Sequence, residues 1–136
     1  MDTRAWLLLT IGVTACLWMP YVLDRFVRLG IPRTLGNPRP LDADELSAWA
    51  RRAQRAHENA VENLVIFAPL AIMAVHAGVG GTALASGASA TYFFARVVHY
   101  LAYAAGIPVL RTVAFLGGFG AQLALLAAVA GAGSAP

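Results

Sequence analysis

The chain has 136 residues, 59% of them hydrophobic and 12% charged, and its mean hydropathy is +0.64. Soluble domains carry roughly 25% charged residues, so this composition excludes an ordinary water-soluble globule and makes lipid the main solvent. All ten basic residues behind the net charge of +3 are arginine, with no basic stripe interleaved with aromatics, which argues against nucleic acid; Cys16 is the only cysteine, so no intrachain disulfide and no cysteine metal cluster can form.

In chain order, the first apolar run covers about residues 6–23, with Pro20 expected to bend its end. It reaches the length needed to span a bilayer. A cleavable signal peptide is the competing reading, disfavoured by the length of the run, an n-region with Arg4 alone and the lack of an Ala-x-Ala site. The second span, about residues 44–77, is expected to begin in water. Asp42 can cap it, Glu45 stands three residues on, and Leu41 and Leu46 can form a hydrophobic staple. Pro69 interrupts its apolar half, which membrane helices tolerate when neighbours satisfy the freed carbonyl. Gly78-Val79-Gly80-Gly81 predicts a tight turn, followed by a third span over about 82–103, a turn at Gly106-Ile107-Pro108 and a fourth span over about 109–130. The last residues, Gly131 to Pro136, read as a small frayed tail. Short turns make successive helices antiparallel, so the expected fold is all-α: an up-down bundle of four transmembrane helices forming a single domain.

Seven arginines (Arg25, Arg28, Arg33, Arg39, Arg51, Arg52 and Arg55) fall between or beside the first two spans, and none falls in the turn after the second. The positive-inside rule then places this first loop in the cytoplasm and both termini on the opposite side. Arg111, after the third span, comes out on the cytoplasmic side as well.

Ionisable groups inside spans are costly and point to function by default. Arg55, Asn59 and Glu62 stand at i, i+4 and i+7, one face of the second helix; Arg96, His99 and Tyr103 stand at i, i+3 and i+7, one face of the third. The topology puts both faces at a similar depth, with Arg111 just beyond. Such an arginine-rich pocket suits an anionic ligand, because guanidinium forks match carboxylates. The bland alternatives are snorkelling for the terminal arginines, an ion pair between Glu62 and Arg96, and interhelical glue for Asn59. His57 and His76 lie off these faces, and three scattered histidines make no metal site. Gly117, Gly118 and Gly120 read as permitting close helix packing.

Arg55-Ala56-His57-Glu58-Asn59-Ala60-Val61-Glu62 resembles the R-A-x-x-N-x-x-E signature of the MAPEG family, the membrane-associated proteins of eicosanoid and glutathione metabolism. Arg96-Val97-Val98-His99-Tyr100-Leu101-Ala102-Tyr103, with Pro108 and Arg111 beyond, resembles the family's third-helix pattern and its following arginine. The resemblance runs from about Trp6 to Leu126 and is to the small bacterial members. It implies a homotrimer in a bacterial inner membrane, with glutathione, or another small thiol, held between subunits on the cytoplasmic side. By matching positions, Arg55, Asn59 and Glu62 would contact glutathione; Arg96, His99 and Tyr103 would complete the pocket; and Arg111 would stabilise the thiolate. Arg25 or Arg28 matches the first-helix arginine. Two departures stand out: Val65 where several members carry tyrosine, and Thr112 where some carry serine. The implied activity is a glutathione-dependent transferase or peroxidase acting on lipophilic electrophiles drawn from the bilayer. A non-catalytic binding or structural subunit of the same fold is the alternative.

Overall fold

The computed structural model describes residues 1–37 and 46–133, and among them every regular element is helical. α1 covers Thr3–Cys16, α2 Met19–Leu35, α3 Ala48–His76, α4 Ala83–Ala105 and α5 Pro108–Ala132. The sequence places the end of the first helix near residue 23. Instead the helical path pauses at Leu17-Trp18, resumes with Pro20 in the first turn of α2, and continues to Leu35 across a break at Gly30. The expected cap and staple at Leu41 to Glu45 lie outside the described residues. Leu46 and Ser47 are not helical, and α3 starts after Ser47, whose hydroxyl accepts from the Ala50 N–H at 3.3 Å. Pro69 is accommodated inside α3 without ending it.

Contacts at the two ends fix the up-down arrangement. At one end the Thr3 N–H donates to the Gly80 carbonyl (3.0 Å) and Ser89 Oγ to Thr3 Oγ1 (3.3 Å), so the start of α1 meets the α3–α4 turn. At the other end the Ser47 N–H donates to Asp24 Oδ2 (2.9 Å), and Tyr100 Oη donates to the Leu17 carbonyl (3.0 Å). The α4–α5 turn lies at this second end too. Gly106 closes α4 in the left-handed conformation (φ 78°), and Pro108 opens α5, where its missing N–H costs nothing. Arg52 Nε donates to the Ala104 carbonyl (3.0 Å), and its guanidinium lies against Gly106. It therefore serves as a side-chain cap on the negative end of α4, not as a snorkelling charge.

The packing inverts that of a soluble protein. Large apolar side chains such as Leu8, Val65, Ile72, Leu101, Val113 and Leu123 point outward. The interior is lined by Ala53, Ala56, Ala60, Ala71, Ala74, Ala85 and Ala121, small residues that let helix backbones approach closely. The bulkiest buried contact is the stack of Phe67 on Tyr92, with ring centroids 3.9 Å apart. Among the described residues, three helical stretches are long and apolar enough to cross a bilayer: the run Thr3–Leu35, α3 and α5. α4 was expected to join them. At 23 residues it is about 34 Å long, but Ser89, Arg96 and His99 dilute its apolar character, and all three are buried inside the bundle.

Candidate functional site

The polar residues of α3 and α4 meet in the half of the bundle that holds the α4–α5 turn. Arg96 is 5% exposed. Its Nη1 donates to Asn59 Oδ1 on α3 (3.3 Å) and its Nη2 to the Phe115 carbonyl on α5 (3.3 Å), while Nε finds no acceptor. No carboxylate pairs with it among the described residues. A buried charge without a counterion is expensive. Part of that cost is offset by the rings of Tyr92 and Phe115, whose centroids lie 5.5 and 5.3 Å from the guanidinium carbon.

From Arg96 a row of ring contacts leads toward the end of the bundle. Phe115 lies 6.1 Å from the buried ring of His99, His99 lies 5.6 Å edge-on from Tyr103, and the Arg111 guanidinium sits 4.5 Å above the Tyr103 ring. Arg111 is half-buried, and its guanidinium makes no hydrogen bond or ion pair within the subunit among the described residues. Asn59, Arg96, His99, Tyr103 and Arg111 are thus brought into one connected cluster.

The other candidates are placed differently. Arg55 and Glu62 flank Asn59 on α3 but are exposed, with no hydrogen bond or ion pair inside the subunit among the described residues. The alternative pairing of Glu62 with Arg96 is therefore not made; Asn59 takes that place. Arg28 is exposed on α2 and bonds Asp24 (Nε to Oδ1, 3.4 Å), apart from the cluster.

Several residues of this region were missed in the sequence. Gln122, buried on α5, donates to the Asn63 carbonyl (3.1 Å), and Asn63 in turn donates to the Asn59 carbonyl (2.9 Å). The signal was present, because Gln122 is the only amide side chain in the apolar stretch of α5. His57, which lies off the polar face of α3, bonds Tyr21 Oη through Nδ1 (3.0 Å) and ties α2 to α3. Gly118 had been expected to serve close helix packing. A Cβ there would collide with Arg96 Nη2 and stand 2.9 Å from Nε, so this glycine is the floor on which the guanidinium rests.

Apolar outward faces enclosing a buried polar cluster define an integral membrane helical bundle with ionisable groups in its interior. The profile of the MAPEG family matches residues 5–131, and the chain belongs to that family. No curated protein and no solved structure matches it. Membership makes it a membrane protein of the glutathione and eicosanoid metabolism kind.

Proposed function

We propose that the protein is a glutathione-dependent membrane transferase or peroxidase, with Arg111 as the catalytic residue that stabilises the thiolate. The observation that carries this reading is the state of Arg111: half-buried, its guanidinium over the Tyr103 ring and without a hydrogen-bonding partner inside the subunit among the described residues. A guanidinium held in this way is free to pair with an anion. A thiol is a weak nucleophile until deprotonated, and a nearby fixed cation lowers its pKa. The thiolate then attacks a lipophilic substrate that arrives through the bilayer. At an aryl halide carbon the new S–C bond expels halide. At a hydroperoxide the O–O bond breaks to give the alcohol, after proton uptake, and a glutathione sulfenic acid that a second glutathione converts to the disulfide and water.

Glutathione contacts are assigned to Arg55, Asn59 and Glu62 on α3, with His99, Tyr103 and Arg28 completing the pocket. Arg55 and Glu62 face outward, their side chains unpartnered among the described residues, which supports a pocket closed by a neighbouring subunit in a homotrimer. Arg96 belongs to the same site but is committed inside the subunit. α4 is proposed as the fourth span, since its outward residues include Leu84, Phe94, Val98 and Leu101. Arginine bias supports a cytoplasmic site with both termini on the opposite side; the membrane is proposed to be a bacterial inner membrane.

The test is turnover and thermal stability of the purified protein with glutathione and a panel of aryl halides and lipid hydroperoxides. Glutathione should raise the melting temperature by mass action. Arg111→Ala should fold normally and lose about 10²-fold or more in kcat, the cost typical of removing one preorganised charge stabiliser. The pH at which bound thiolate appears, followed by its ultraviolet absorbance, should rise in that variant. Equal turnover in both proteins, above the uncatalysed rate, would defeat the assignment of Arg111; no turnover above that rate in the unmodified protein, across all electrophile classes, would leave the non-catalytic subunit standing.

A further inference from the structure

Arg96 and Asn59 form the one direct side-chain hydrogen bond between the two polar faces among the described residues, and its chemistry has a direction. A guanidinium has five N–H groups and no acceptor. Whatever lies 3.3 Å from Arg96 Nη1 must therefore be the amide oxygen of Asn59, because the amide nitrogen would oppose donor to donor. The Asn59 NH₂ group is thereby forced onto the other branch of the side chain. No acceptor takes it within the subunit among the described residues, and Asn59 is half-buried, not sealed. Its neighbours on the same face of α3 are the exposed Arg55 and Glu62.

Arg96 is itself closely surrounded. The Phe115 and Tyr92 rings lie against it, the Phe115 carbonyl takes Nη2, and Gly118 leaves no spare volume beneath it. We infer that Arg96 is a positioning residue that fixes the polarity of the Asn59 amide, so that Asn59 offers an N–H donor to the ligand and selects a carboxylate at that point of the pocket. Left to itself, an asparagine rotates to suit either a donor or an acceptor. Locked by a buried cation, it recognises only acceptors, and it favours an ionised carboxylate, which takes a charge-assisted bond, over the weaker neutral oxygen of an amide. Arg96 thus confers specificity on a ligand it need not touch.

The inference rests on the proposed function, and the experiment separates the two. Affinity is measured for glutathione and for two analogues, each with one carboxylate converted to a primary amide. The unmodified protein should bind one of the two amides about 10-fold or more weaker than glutathione, a difference of about 1.4 kcal/mol. Asn59→Asp keeps a partner for Arg96 but presents oxygen outward, so the preference should vanish or reverse in favour of that amide, with the melting temperature retained. Arg96→Met releases Asn59 to rotate, and the preference should fall to about unity; Arg96→Lys, which still only donates, should restore it. Bound glutathione whose carboxylate preference survives both Asn59→Asp and Arg96→Met overturns this inference alone. Failure of the unmodified protein to bind glutathione overturns the proposed function and this inference with it.

Discussion

Around Phe67 the bundle is closed mainly by contact, with the buried Tyr92 hydroxyl the polar group of that stack, whereas about 12 Å along α3, eight residues away, it is held by polar groups whose bonding capacity is only partly used. In the first region Phe67 stacks on Tyr92 among Ala71, Ala74, Ala85, Ala88 and Leu125. In the second, Arg96 lacks an acceptor for Nε, and the side chains of Arg111, Arg55 and Glu62 make no hydrogen bond or ion pair inside the subunit among the described residues. Lipid gives apolar side chains little reason to leave it, so helices there must be joined by close fit or by polar bonds. This bundle uses close fit around Phe67 and polar bonds around the proposed glutathione site. If that division is real, substitutions in the two regions should separate stability from function.

The largest stability loss is expected from Phe67→Ala. The ring is fully buried and removes a stacking partner as well as filling space, so the expected cost is about 3–5 kcal/mol. Glutathione affinity in the fraction that remains folded should be unchanged. A matching loss of affinity would show that the two regions are mechanically one. Arg111→Ala should do the reverse, with melting temperature preserved and turnover lost.

Gly118→Ala sits on the border between the two behaviours. The added methyl must displace the Arg96 guanidinium, because the Cβ would overlap it. Overpacking of this kind costs about 1–3 kcal/mol. Its more telling effect is on Asn59: with Arg96 pushed aside, the amide loses its lock, and the carboxylate preference should weaken together with stability. Gly117→Ala, one residue away, where a Cβ would make only ordinary contact with Ala95, should change neither. Melting curves and binding isotherms on the pair distinguish a collision with Arg96 from a general demand for small residues on α5.

Much of this architecture is legible in the sequence because membrane helices announce themselves through long apolar runs, and the spacing of Arg96, His99 and Tyr103 on one face of α4 survives into the structure. What the sequence hides is which neighbour each polar group chooses. Helical periodicity assigns Arg55, Asn59 and Glu62 to one face, yet the angles differ enough that Asn59 turns inward while the other two stay outside. Charge complementarity favours Glu62 for Arg96, whereas the packing gives it an uncharged amide. The reach of α2 to Leu35 is hidden for another reason: Asp24, Arg25 and Arg28 end the apolar run without ending the helix. The start of α3 was placed too early because several residues before it can cap, and the one that does, Ser47, is recognised only by its bond to Ala50.

That cap also yields the smallest expected effect and the most local probe of the polar region. Ser47 accepts from the Ala50 N–H through its hydroxyl, while its own N–H donates to Asp24. Ser47→Ala removes the first bond, and with it the hydroxyl's own contribution at Asp24, but keeps the backbone bond to Asp24, so it loosens the first turn of α3 without detaching that turn from α2. The expected cost is about 1 kcal/mol. Arg52 and Arg55 lie in the second and third turns of α3, and Asn59 only one turn further. Fraying at the helix start should therefore reach the Arg52 bond to Ala104 before it reaches Asn59. Hydrogen exchange should show faster opening of the amides of the first turn, with the amides around Asn59 and Phe67 unchanged. Opening that extends to Asn59 would mean that the polar region is held by its helix terminus and not by Arg96.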